Sequence, residues 1–127
     1  MSAEGVSYHY LPPSREVVAA ETGVKALVDT IRQRGLSYRL GKTWTTDAPC
    51  RETARTITQR QAEGCLAVEM EAAGMMAVAQ CRGVPFGQVL YGGDDASGSV
   101  WDQRAWQSRA AIRQSLFWLC ADACLAL

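Results

Sequence analysis

The sequence predicts a three-layer α/β/α fold with a mixed sheet. Three observations carry that expectation. Short apolar or Thr-rich runs alternate with segments whose apolar residues recur at helical spacing, the pattern of a sheet layered with helices. The run Cys65 to Val68 is almost wholly apolar, as suits a parallel strand covered on both faces. Gly and Pro separate the runs at intervals short enough for tight connections.

The elements follow in order. Val6, Tyr8 and Tyr10 alternate with Ser7, His9 and Leu11, a period-two strand signal that Pro12 and Pro13 stop. His9 near the end of such a strand is ordinarily a surface or hydrogen-bonded residue; a ligand contact is the alternative. Ser14 is a candidate N-cap. Val17, Ala20, Val24, Leu27, Val28 and Ile31 then recur at helical spacing, and Gly35 fits the stop. Tyr38 to Thr46 reads as a strand, broken by Asp47-Ala48-Pro49. Arg51 to Ala62 is a Thr-rich helical segment with Ile57 as its main apolar residue and Gly64 as terminator. Cys65 to Met70 is expected to be a buried central strand. Ala72 to Arg82, small and apolar on most sides, is expected to be a largely buried helix covered by the sheet or by a partner subunit. Gly83 ends it and Pro85 prevents its continuation. Phe86 to Tyr91 is the next expected strand. Ser99 and Asp102 resemble a capping box for a last helix. Its apolar stripe comprises Trp106, Ile112, Leu116, Leu119, Cys120, Ala123 and Leu127.

Chemistry concentrates where the apolar run meets the alanine-rich helix, at Val68-Glu69-Met70-Glu71-Ala72-Ala73-Gly74. Open α/β sheets bind ligands at the carboxyl ends of their strands. Glu69 and Glu71 lie one residue apart, so an extended backbone would point both to one face. An ionised carboxylate accepts hydrogen bonds and donates none, which suits a vicinal diol such as the 2′- and 3′-hydroxyls of a ribose. The ordinary alternative is an acid that satisfies free N–H groups in the first helical turn. A second acidic pair, Asp94-Asp95, follows Tyr91-Gly92-Gly93. Two adjacent acids repel, which would raise one pKa; a solvated turn is the alternative.

Several of these stretches together resemble the nucleoside phosphorylase superfamily, of the purine-nucleoside and uridine phosphorylase type. They are Gly5 to Tyr10, Thr45 to Pro49, Val68 to Gly74, Arg82 to Pro85 and Tyr91 to Asp95, in the family's order and spacing. The resemblance implies a partial phosphorylase-like fold over residues 1–127 as one domain, matching the C-terminal half of the family chain. It implies phosphorolysis of a ribonucleoside to base and ribose 1-phosphate, with a purine favoured over a pyrimidine. Phosphate is then the co-substrate, and no cofactor or metal is implied. Glu71 would hold the ribose diol, Glu69 would assist, and Met70 would pack against the sugar. Asp94 would protonate the leaving base, with Asp95 the substitute if the register is displaced by one. A supporting arginine is implied near the last helix. Arg104 is the candidate, Arg109 lies near it, and the aligned position itself holds Gln107. The loop Thr45 to Thr53 would lie over the base. Pro49 and Cys50 stand where the family has stacking aromatics. Asp47 and Arg51 either line the pocket or pair with each other.

The family's phosphate-binding glycines and arginines lie in its N-terminal half, and Met1 to Arg34 contains no Gly-rich phosphate loop. The expectation is therefore a truncated chain with little or no activity alone, which forms a homo-oligomer or takes up a complementary N-terminal half. A nucleosidase, using water in place of phosphate, and a noncatalytic nucleoside-binding or assembly module are the rival readings. Equal numbers of basic and acidic residues, 13 each, argue against a nucleic-acid surface. Neither a bilayer-spanning run nor a signal peptide is expected from the sequence. Five cysteines without a C-x-x-C pair, and a single histidine, give no zinc pattern. A cytoplasmic, reduced setting is the expectation.

Overall fold

A computed structural model describes every residue except Ser99, and Trp106 for its backbone alone. Three parallel strands form one sheet in the order β1–β2–β3: β1 is Ser2–Ala3, β2 is Lys42–Thr46 and β3 is Cys65–Glu69. Ser2 pairs with Thr45, and Thr45 in turn with Glu69. The sheet is thus parallel, where a mixed one was expected. Four helices accompany it: α1 (Glu21–Gln33), α2 (Ala54–Ala62), α3 (Ala72–Arg82) and α4 (Ala110–Leu125).

Neighbouring residues of β2 show the layering, because successive side chains point to opposite faces. Trp44 faces α2, with the Arg60 guanidinium 5.5 Å from its ring centroid. Thr45 faces α3 and accepts the Ala73 N–H at 3.1 Å. Leu27 and Ile31 of α1 pack on Leu119 and Ala123 of α4 to form the buried hydrophobic cluster. Gly35 and Gly83 end α1 and α3 with φ of +65° and +64°, where a side chain would be strained.

Several expected boundaries move, some for a local reason and some for a nonlocal one. The strand expected over Val6–Tyr10 is a 3₁₀ turn at Ser7–His9. The Glu4 carboxylate accepts the N–H groups of Val6 and Ser7 at 2.6 and 3.1 Å and turns the chain there. His9 is exposed in this turn. Ser14 closes a local turn onto Glu16 and caps nothing; α1 starts seven residues later, at Glu21. The segment between is tied to distant partners, Arg15 C=O to Ser2 and Val18 C=O to Gln80. β2 starts at Lys42, not Tyr38, since its ladder begins opposite Cys65. α2 starts at Ala54, where the Thr53 hydroxyl accepts the Thr56 N–H at 3.3 Å.

The largest departure concerns β3. Expected to be central and buried, it is an edge strand among the described residues, and Leu66 is 58% exposed. Phe86 to Tyr91 forms no ladder with it. Instead that stretch lies against α1, whose Gly23 lets the backbones touch. A methyl group on Gly23 would sit 2.5 Å from the Phe86 carbonyl carbon and oxygen. Gly23→Ala is therefore expected to destabilise the protein by about 1–3 kcal/mol, because a backbone rather than a mobile side chain must yield. A thermal melt indistinguishable from the parent would refute that packing. In α3, Ala72, Ala73, Gly74, Ala77 and Ala79 are buried, whereas Met75 remains half exposed. The capping box expected at Ser99 falls outside the described residues. Asp102 pairs by its backbone with Asp95, and α4 begins at Ala110. Of the expected apolar stripe, Leu119 and Ala123 are buried, while Ile112 and Leu127 are exposed. No described helix is long and apolar enough to cross a membrane.

Candidate functional site

The β3–α3 junction separates its two glutamates. Glu69 Oε1 accepts from the hydroxyls of Thr45 and, at 3.3 Å, Thr43. Its Oε2 accepts the N–H groups of Glu71 at 2.9 Å and Ala72 at 2.6 Å. Both oxygens are thereby committed to holding two strands and the helix start together. A carboxylate at a helix N-terminus is favoured by the dipole as well as by the free N–H groups. Thr45, almost fully buried, completes the knot by donating to Glu69 and accepting from Ala73. The expectation that both glutamates share a face fails because the chain leaves the extended conformation at Met70.

Glu71 turns elsewhere. Among the described residues its carboxylate has one hydrogen bond, a 3.3 Å contact from the Met70 N–H to Oε2. It lines a cleft of about 530 Å³ together with Met70, Asp47, Glu4, Val6 and Phe86. That volume lies within the range of about 300–1,000 Å³ usual for small-molecule sites. Asp47 engages no hydrogen bond or ion pair among the described residues, so the expected alternative of an Asp47–Arg51 pair is not realised. Arg51 sits in a 3₁₀ turn, Pro49–Arg51, and neither it, Pro49 nor Cys50 lines the cleft. Phe86 supplies the aromatic surface that these loop residues lack. Phe86 was expected inside a strand; its backbone instead lies against Gly23 of α1.

Glu4 was also missed. It is 7% exposed and accepts from the Ser2 hydroxyl at 2.8 Å and from two backbone N–H groups. Burial alone would raise its pKa, but the hydrogen bonds from Ser7, Ser2 and the backbone outweigh that and hold it below the usual 4.5. A depressed carboxylate adds stability that is present above the unfolded value and lost as pH falls through the folded one. Glu4→Gln is accordingly expected to flatten the loss of stability as pH falls below about 4.5. Unchanged acid unfolding curves would show that Glu4 is not so held.

The second acidic pair lies outside the cleft lining. Asp94 Oδ2 accepts the Trp101 indole N–H at 2.7 Å. Arg104, expected beside Asp94, pairs instead with Asp95 and stands 3.6 Å from Asp102. Hydrogen bonds from the Ser97 hydroxyl and N–H lower the Asp95 pKa, with Arg104 adding to them. Asp95 is thus held ionised and is a poor proton donor. The carboxyl raised in this neighbourhood is Glu52, through burial and then the charge of Asp94. A larger apolar gap of about 810 Å³ opens between the sheet, α1 and α4, and carries none of the expected site residues.

A parallel sheet with helices on both faces, and an acid-rimmed cleft at the carboxyl end of a strand, define the α/β class, in which that end of the sheet is the usual place for a ligand. The particular family follows from the chain as a whole. The model of the phosphorylase superfamily matches residues 1–121, and the protein belongs to that superfamily. No curated protein matches the chain.

Proposed function

We propose that the protein binds a purine ribonucleoside and belongs functionally with the nucleoside phosphorylases. The observation that carries this reading is Glu71, whose carboxylate takes one hydrogen bond among the described residues, on a cleft lined otherwise by Glu4, Asp47 and apolar residues. In this reading Glu71 accepts from the 2′- and 3′-hydroxyls, and Met70 packs on the sugar. Glu69 assists from behind by fixing the Glu71 N–H. Phosphorolysis breaks the bond between C1′ and the base nitrogen while a phosphate oxygen bonds C1′. The bond's electron pair leaves with the base, so a proton donor to the base speeds the step by about 10²–10⁴-fold. The resemblance names Asp94 as the donor, since Asp95 is held ionised by Ser97 and Arg104; Asp94 lies outside the cleft lining, on the Trp101 indole N–H, and would have to reach the base from there. Arg104 then acts by keeping Asp95 occupied.

A second reading is hydrolysis, with water in the place of phosphate. It draws support from the lining of the cleft, which includes no Lys, Arg or His among the described residues. Purine release from inosine, adenosine and guanosine, followed with and without phosphate, separates the two. Release that requires phosphate supports the phosphorylase, and release in phosphate-free buffer supports the nucleosidase. Neither release nor binding of any ribonucleoside would overturn both.

A further inference from the structure

We propose that two copies of this chain associate through the outer face of α4, the helices crossing antiparallel about a two-fold axis near Ala121. This goes beyond the nucleoside reading and does not depend on it. α4 carries apolar residues on opposite sides. Leu119 and Ala123 turn inward to α1 and are buried. At about 100° per residue, Phe117, Trp118, Ala121, Cys124 and Leu125 gather on the other side. There Phe117 is 65% exposed, Trp118 56% and Leu125 88%, and Cys124 is exposed beside them. A helix that is apolar all round is ordinarily a buried one. The charged residues of α4 lie at the flanks of this face and are engaged, Asp122 with Arg34 and Arg113 with the Gln107 carbonyl.

A folded monomer of 13.8 kDa ordinarily exposes about 6,600 Å². This chain exposes 8671 Å². The excess of about 2,000 Å² is as much as each partner gives to a large obligate interface, and the outer face of α4 supplies an apolar centre for one. A second copy suits that face. The Phe117 and Trp118 rings, edge to face with centroids 5.3 Å apart, stand one turn from the smaller Ala121 and Cys124. Reversing one helix about Ala121 sets the rings of each copy over the small residues of the other, so that large meets small. Such a contact is isologous and closes at two copies. The formal net charge is zero, so the copies do not repel one another. A lipid surface would call for Lys and Arg along the flanks, and Arg113 is the one such residue in α4.

Sedimentation velocity of the full chain at micromolar concentration is expected to show a dimer. Trp118→Glu is expected to raise the dimer dissociation constant by about thirtyfold or more, the loss typical of a tryptophan at the centre of an interface. Leu125→Glu should act in the same direction. Both side chains point to solvent in the single chain, so the helical circular dichroism of each variant should remain that of the parent. Leu66→Glu places the same charge on the exposed edge of β3 and is expected to leave the dimer intact. A monomeric parent, a larger assembly, or a dimer that persists in both α4 variants would overturn the proposal. Dissociation by Leu66→Glu to the same extent as by Trp118→Glu would move the contact to the sheet edge and overturn it too. A monomeric parent that sediments with phosphatidylcholine vesicles would give the face to lipid instead.

Discussion

Glu71→Ala is expected to weaken ribonucleoside binding by about ten- to a hundredfold. The arithmetic is that of a hydrogen bond to a charged group, worth about 1.5–3 kcal/mol. Because Glu71 is exposed and its carboxylate has, among the described residues, only the Met70 N–H as partner, the substitution should leave the fold unharmed. The interpretation becomes sharp in a double-mutant cycle. A 2′-deoxynucleoside should bind the parent more weakly, while in Glu71→Ala the loss of the 2′-hydroxyl should cost nothing further. Additive losses would mean that Glu71 and the diol do not meet. The cleft would then need another explanation for its free carboxylates.

Glu69→Ala should fail in a different way, by unfolding rather than by losing ligand alone. The substitution removes the acceptor for two threonine hydroxyls and two backbone N–H groups. Thr45 is 1% exposed, so its hydroxyl cannot turn to water for a replacement. A buried donor left unsatisfied costs about 1–3 kcal/mol, and a lost helix cap about 0.5–2 kcal/mol. The contributions overlap, and a total near about 3 kcal/mol is expected. Urea unfolding should show a lower midpoint with an unchanged slope. A loss below about 0.5 kcal/mol would show that β2, β3 and α3 are held together by something else. Residual folded Glu69→Ala should also bind nucleoside less well, since the Glu71 backbone loses its anchor. The two neighbouring glutamates thus predict opposite signatures: Glu71 moves affinity without stability, and Glu69 moves both.

That contrast marks how far the sequence could be read. Cys65 to Val68 as a strand, the alanine-rich helix after it, and Gly35, Gly64 and Gly83 as stops were all legible. Local apolar content and backbone preference decide such features. Asp47, Met70 and Glu71 line one cleft; the resemblance named Met70 and Glu71 for the sugar and left Asp47 either on the pocket or paired with Arg51. Arg51 and Asp94 were expected beside them and are not on that lining. Phe86 and Glu4 were invisible, because one read as a strand residue and the other preceded any recognisable pattern.

By itself, the sequence determined the layered α/β class, the strand-to-helix junction and the acidic chemistry placed on it. Those properties follow from periodicity and side-chain type, which are local. Only the tertiary structure decided that Glu69 faces inward to four donors while Glu71 faces the cleft, that β3 is an edge, and that Phe86 packs toward α1. Each depends on which distant groups meet, such as the threonines of β2 with Glu69 and the glycine of α1 with Phe86. A hydrogen bond or a backbone contact across tens of residues leaves no periodic trace in the chain that forms it.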